Sequence, residues 1–353
     1  MPLHPAARSI LERALTVGYA DPRRLHQPGR RAQLILENAR ASVAQSLGVR
    51  ADEVTFTGSG TRACHLGLLG LARPGAAIAA SAVEHNAVMH AGEWHAERGG
   101  RFETVPVDSS GRVRPGTVPV GCDVLALQSA NHEVGTIQHV DEVAAGHDGP
   151  VFVDACASGG RLALPERWDA VALSAHKWGG PAGVGVLLVR KGARWRPPFP
   201  VDDRADERAT GFENVPAVLA AAAALAEVVA DDAGRERQRL LIDRVRESVG
   251  RLEDIDVVGD PVDRLPHLVT FSCLYVDGEA LVTELDRRGF AVASGSACTA
   301  STLRPSHVLA AMGALTHGNV RLSVDDTTTE ADIDRFLAIL PGAVADLRAE
   351  AGL

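Results

Sequence analysis

Seven short, mainly apolar runs, Val54–Thr57, Ala76–Ala80, Phe102–Val105, Val124–Gln128, Val151–Asp154, Ala170–Ser174 and Val184–Arg190, alternate with stretches of helical period. Runs without polar/apolar alternation must be covered on both faces, and helices between successive strands are the connections that parallel pairing needs. The pattern predicts an α/β fold: a large domain whose mostly parallel sheet is covered by helices. Ahead of the first strand, Leu34, Ile35, Ala39, Val43 and Leu47 lie at helical spacing and Gly48 follows them, which predicts a helix over residues 31–48. Arg62–Ala72 and Ala87–Arg98 read as two of the covering helices.

The composition changes near Trp195–Asp206, where Pro197, Pro198 and Pro200 precede a charged run. Beyond it the reading is one long helix through Leu252, a strand at Leu268–Ser272, a helix at Gly278–Arg288, a strand at Phe290–Ala293, and terminal α/β elements. The expected division is a large cofactor-binding domain over 1–205 and a smaller C-terminal α+β domain over 206–353, which carries a mobile loop at 294–304.

A chain of 353 residues with a formal charge of -9 offers no general attraction to nucleic acid or anionic lipid. Its longest apolar stretch, Val215–Ala230, is alanine-rich and bounded by Glu213, Asp231 and Asp232, which reads as a buried helix and not a membrane span. The five cysteines are odd in number, irregularly spaced and without a CxxC pair, so neither a disulfide framework nor a metal site is expected, and a reducing, cytoplasmic setting is.

Three segments carry candidate chemistry. Lys177 follows an apolar strand, with Ser174 and His176 before it and Gly179, Gly180, Gly183 and Gly185 behind. A lysine placed there is either a snorkelling surface residue or one whose amine is chemically used. Asp154 closes another apolar run; alone it is equally a cap or turn former. Thr57-Gly-Ser-Gly-Thr61 joins a strand to a helix, so its N–H groups and hydroxyls can cradle a phosphate, although such turns are common without one. Phosphate turn, carboxylate and lysine, in that order, suit an aromatic aldehyde cofactor: the lysine binds the aldehyde and the carboxylate holds a pyridinium proton.

At these residues, and at Asp21-Pro-Arg-Arg-Leu-His26, Val83-Glu-His85, Asn131-His-Glu-Val-Gly135, Glu213-Asn-Val-Pro216, Ser294-Gly-Ser-Ala-Cys298-Thr and Val320-Arg321-Leu-Ser, the chain resembles the cysteine desulfurases of the NifS/IscS type. These form part of the class V branch of fold-type I pyridoxal phosphate enzymes. The cysteine-bearing loop is the most specific piece, because aminotransferases of the branch lack it.

The resemblance implies pyridoxal 5'-phosphate as cofactor, with Lys177 carrying it and moving the α-proton. It also implies Asp154 on the pyridine nitrogen, His85 stacked on the ring and serving in proton transfer, and Gly60, Thr61, Ser174 and His176 on the phosphate. Asn131 and Arg321 would hold the substrate carboxylate, and Cys298 would be the nucleophile that takes sulfur from L-cysteine, leaving L-alanine. The implied partners are a second copy of the chain in a homodimer and a sulfur-acceptor protein or enzyme. Cys298 sits in a small, polar run, whereas Cys64, Cys122, Cys156 and Cys273 lie in or beside apolar segments and read as small buried hydrophobes.

The chain departs from the family pattern at Ala157, where a glutamine reaches the cofactor's ring oxygen, and at Phe212, where a threonine reaches the partner subunit's phosphate. The family's N-terminal strand is not recognised either. These departures keep two other readings open: a related class V enzyme, such as a selenocysteine lyase or an aminotransferase, and a degenerate non-catalytic subunit.

Overall fold

The computed structural model describes residues 2–17, 20–201, 207, 208, 210–294, 305–350 and 352. Its helices are α1 (Pro5–Val17), α2 (Gln27–Leu47), α3 (Gly60–Leu71), α4 (Asn86–Ala96), α5 (Val140–Ala144), α6 (Val215–Ala230), α7 (Asp232–Val249), α8 (Gly278–Arg287), α9 (His307–Ala311) and α10 (Glu330–Glu350). Its strands are β1 (Val54–Thr57), β2 (Ala77–Ser81), β3 (Arg101–Val105), β4 (Val124–Gln128), β5 (Val151–Asp154), β6 (Ala170–Ser174), β7 (Gly185–Val189), β8 (Ile255–Val258), β9 (Leu268–Cys273) and β10 (Asn319–Ser323).

The seven apolar runs form one sheet in the order β1-β7-β6-β5-β4-β2-β3, parallel except for β7, which runs against both β1 and β6. Six of these strands are buried along their whole length, as strands covered on both faces must be. β3 is different. Its Arg101 and Glu103 are exposed, and as the outermost strand it carries the charge that discourages further pairing. α3 and α4 pack on one face of the sheet, while α2, α6 and Trp178 close the other.

The expected long helix through Leu252 is two helices. Asp231 ends α6 and caps α7, its side chain accepting the Gly234 N–H at 2.9 Å. The two differ in what they bury: α6 packs on α1 and α2 within the large core, while α7 joins β9, β10, α8 and α10 around a second core. The large core therefore takes in α6, and the second core begins with α7. The expected strand at Phe290–Ala293 is reduced to one bridge, Ala293 with Arg321. The second sheet is instead the antiparallel set β10-β9-β8. Helix α1, which is not among the expected elements, is held by packing on α6. Among the described residues no helix is long and apolar enough to cross a membrane.

Candidate active site

Strand register brings the chemistry to one sheet edge. Thr57 and Ser174, from β1 and β6, both pair with Gly185 of β7, so these strand ends meet. Asp154 ends the adjacent β5 and is 6% exposed, its carboxylate accepting the Cys156 N–H at 2.8 Å. The C-terminal edge of parallel strands is where α/β sheets open a crevice, since the chain leaves each strand there to enter a helix.

Two glycines set how closely the elements approach. A Cβ on Gly185 would stand 2.2 Å from Ser59 O, and one on Gly60 would stand 2.6 Å from Ser174 Cβ and 2.8 Å from its Oγ. The turn at the start of α3 can lie against β6 only without side chains at these positions. Ser59 caps α3, its side chain accepting the Arg62 N–H, so the first turn of the helix faces the crevice with Gly60 and Thr61 leading. Gly60→Ala is expected to push this turn from Ser174 and weaken cofactor binding about tenfold or more, given that overpacking costs about 1–3 kcal/mol. Titration of cofactor-free protein with pyridoxal phosphate measures it.

After Ser174 the chain turns through a 3-10 turn, Ala175–Trp178, which Gly179 ends in the left-handed region at φ 77. The turn is fixed from behind: the buried Trp178 indole donates to Ala221 O of α6 at 3.0 Å, and Arg161 Nη1 donates to Lys177 O at 2.8 Å. Lys177 is thereby held toward the crevice by its backbone. His176 Nδ1 lies 2.9 Å from Ser174 Oγ. His85 caps α4, its Nδ1 accepting the Ala87 N–H at 3.0 Å. It starts a helix, as an ordinary histidine in that position would, but it also faces the crevice. Burial lowers the pKa of both histidines, helped by the charge of Lys177, so both are neutral imidazoles near pH 7.

Gly60, Thr61, His85, Asp154, Ser174, His176 and Lys177 all line one cavity of about 140 Å³. Asn131 and Arg321 do not line it. Asn131 is fully buried; its Oδ1 accepts the N–H groups of Glu133 and Val134, and its Nδ2 donates to Val83 O, so it shapes the turn at 131–135. Arg321, on β10, donates to His132 O at 3.1 Å and so ties the second sheet to that same turn. Cys298 and the loop that carries it lie outside the described residues, but their flanks are anchored at the site. Ala293 exchanges backbone hydrogen bonds with Arg321, Ser306 Oγ donates to Glu133 Oε2 at 2.6 Å, and the His307 ring meets Glu84 O at 2.8 Å.

The cavity also holds residues the sequence did not single out. Cys64 and Cys156, read as inert hydrophobes, line it, and their sulfurs and the Asp154 carboxylate all lie within 4.8 Å of one another, a spacing that could hold a soft metal ion. The hydrogen bond with Cys64 pulls the Cys156 thiol down, but burial and the Asp154 charge prevail and push it up to about 11. Below Asp154, Glu84 is fully buried. Its Oε1 accepts the Gln128 N–H at 2.6 Å, its Oε2 has no partner, and burial followed by the Asp154 charge raises its pKa well above the usual carboxylate range. His132 completes the wall, edge-on to His85 with ring centroids 4.9 Å apart. Cys156, two residues past the strand-end aspartate, was the one of these with a positional signal.

The donor set suits pyridoxal phosphate. Gly60 leaves a cradle that a Cβ would fill, a buried carboxylate is available for a ring nitrogen, and a backbone-fixed lysine reaches the same cavity. Ala157 is part of the lining and offers no side-chain donor, and Phe212 is 54% exposed over a separate hollow beside Thr57 and Arg62.

Comparison with known proteins follows the same lines. The family described as Aminotransferase class-V matches residues 9–336. The chain is 32% identical to "Cysteine desulfurase IscS 1" of Archaeoglobus fulgidus, over 95% of this chain and 92% of that one. It is 36% identical to "IscS-like cysteine desulfurase" of Mycobacterium tuberculosis, over 98% and 95% of the two chains. Among solved structures, a "NIFS-LIKE PROTEIN" superposes with a TM-score of 0.89 at 27% identity, covering 98% of this chain and 97% of the other. DndA from Streptomyces lividans superposes with a TM-score of 0.76 at 26% identity, covering 91% and 96%.

Proposed function

The chain belongs to the class-V aminotransferase family, and from that membership and the geometry of its cavity we propose how it acts as a pyridoxal phosphate-dependent cysteine desulfurase. The observation that carries the reading is the convergence of Lys177, Asp154, His85 and the Gly60 turn on one cavity, with the flanks of the Cys298 loop tied beside it.

When bound, pyridoxal phosphate supplies an electron sink for the bonds that break at the amino-acid substrate. The protein does the rest. The first turn of α3, with Ser174 and His176, offers N–H and hydroxyl donors to a phosphate, and Asp154 holds a proton at a ring nitrogen against a buried, low-dielectric wall. The Lys177 amine takes the substrate's α-proton and is positioned to return it. His85, neutral near pH 7, accepts or donates a proton at Nε2, because its Nδ1 is committed to the Ala87 N–H. Arg321 approaches from the second sheet with the planar fork that suits a carboxylate. Cys298 as thiolate attacks the substrate sulfur. An S–S bond forms as the Cβ–S bond breaks, the electron pair passes to carbon and is met by a proton, and the products are L-alanine and a persulfide on Cys298.

The persulfide would then pass to a sulfur-acceptor protein or enzyme. A homodimer is the expected assembly, with the segment Gly211–Pro216 at its face. That segment is positioned by Arg23, which donates to Gly211 O at 2.7 Å and pairs with Glu213 at 3.2 Å. The test is product analysis: purified holoenzyme given L-cysteine and a reducing thiol should release sulfide and alanine in equal amounts. A keto acid in place of alanine would make it an aminotransferase.

A further inference from the structure

Among the described residues that line the cavity, one buried side-chain polar atom lacks a hydrogen-bond partner. His132 has a side chain 9% exposed, lines the cavity, and has no hydrogen-bond partner at Nδ1. Its other nitrogen, Nε2, faces Glu133 Oε1 at 3.6 Å, a polar contact longer than a hydrogen bond. Glu133 is itself buried, with Oε2 accepting from Ser306 Oγ and its backbone carbonyl accepting from Thr270 Oγ1.

We propose that His132, the third imidazole of the cavity wall, binds the sulfhydryl of the amino-acid substrate through Nδ1, and that Glu133 is a positioning residue that decides which ring nitrogen carries the proton. This rests on the desulfurase reading. The chemistry follows from what the substrate can offer. Its amine is engaged at Lys177's end of the cavity, and its carboxylate only accepts. The thiol is therefore the donor that L-cysteine has and L-alanine lacks, and a neutral imidazole with the proton on Nε2 presents Nδ1 as the acceptor.

Glu133 can make that choice. An ionised carboxylate 3.6 Å away favours the proton on Nε2, whereas a protonated carboxyl removes that bias and frees Nδ1 to carry it. Burial raises the Glu133 pKa to about 7, against the opposing pull of the Ser306 hydrogen bond and the Arg321 charge, so both forms exist across neutral pH. His132 stays uncharged throughout. Burial first, and then any positive charge on His85, Arg321, Lys177 or His307, which face it from α4, β10, the 3-10 turn and α9, hold its pKa well below 6.5.

The experiment uses holoenzyme, with rapid-mixing titrations of L-cysteine and L-alanine read before turnover, and steady-state KM from pH 6 to 8.5. The expected results are a roughly tenfold weaker L-cysteine affinity in His132→Ala, the worth of one hydrogen bond, with L-alanine affinity kept within about twofold. In wild type, L-cysteine affinity should rise through pH 7, and Glu133→Gln should flatten that rise. His132→Asn, which places an amide near the position of Nδ1, should recover most of the affinity without the pH dependence. Equal losses for both amino acids, no loss for either, or an unchanged pH profile in Glu133→Gln would overturn the proposal. Failure of wild type to form alanine would instead sink the desulfurase reading, while the binding comparison still decides the role of His132.

Discussion

Lys177→Ala is expected to abolish the borohydride-reducible link to pyridoxal phosphate and to lower turnover of L-cysteine by at least about a thousandfold, because the variant loses covalent attachment and general-base catalysis together. The substitution should not unfold the protein. The turn is held by the Trp178 indole on Ala221, by Arg161 on Lys177 O, and by the left-handed Gly179, none of which needs the lysine side chain. Cofactor-free Lys177→Ala and cofactor-free wild type should therefore melt within a few degrees of each other, as substitutions away from core packing do. Absorbance spectra before and after borohydride, with peptide mapping of the reduced product, check the result. A reducible adduct on another lysine would move the cofactor elsewhere.

Cys298→Ser should separate binding from sulfur transfer. Cofactor attachment at Lys177 needs no thiol, so the variant should still bind L-cysteine and show the spectral change that goes with it. Sulfide release should fall at least about a hundredfold, since a hydroxyl is a far poorer nucleophile toward sulfur than a thiolate. The four described cysteines support the choice by their surroundings. Burial pushes Cys273 up to about 11 and raises Cys122; Cys156 also stands at about 11; and Cys64 is raised by its hydrogen bond with Cys156 and by burial. Protonated thiols of this kind make poor attacking groups at neutral pH. The clean controls are Cys122→Ser and Cys273→Ser, because Cys64 and Cys156 stand in the cavity wall beside Asp154 and changes there would alter cofactor binding as well. Mass spectrometry after a single addition of L-cysteine should find the added sulfur mass on the peptide with Cys298 and on no other. Retained sulfide release in Cys298→Ser would remove the ground for preferring desulfuration over transamination.

The aminotransferase and degenerate-subunit alternatives that Ala157 and Phe212 kept open in the sequence are answered at the level of family and enzyme by the relatives, which are cysteine desulfurases over nearly the whole chain. What the two departures do to the site is visible only in three dimensions. Ala157 leaves that part of the cavity wall without a side-chain donor, and Phe212 lies over a hollow outside the cavity.

Sequence alone determined the elements whose signal is local. Six of the seven strand runs were legible because a strand covered on both faces must be apolar throughout, and that requirement is written into four or five consecutive residues. Lys177, Asp154 and the Gly60 turn were legible because each sits at a strand end, where polar or conformationally special residues interrupt an apolar run. Tertiary structure decided whatever depends on partners distant in the chain. The helix expected to run through Leu252 is divided at Asp231, because α6 and α7 bury their faces in different cores. His132 and Glu133 looked like ordinary polar residues of a turn. Their surroundings come from His85, Ser306 and Arg321, brought from three other elements, and burial there lowers the His132 pKa and raises that of Glu133. Neither burial nor the charge of a neighbour 189 residues away leaves a local mark on composition or period, and both exist only once the two sheets have packed together.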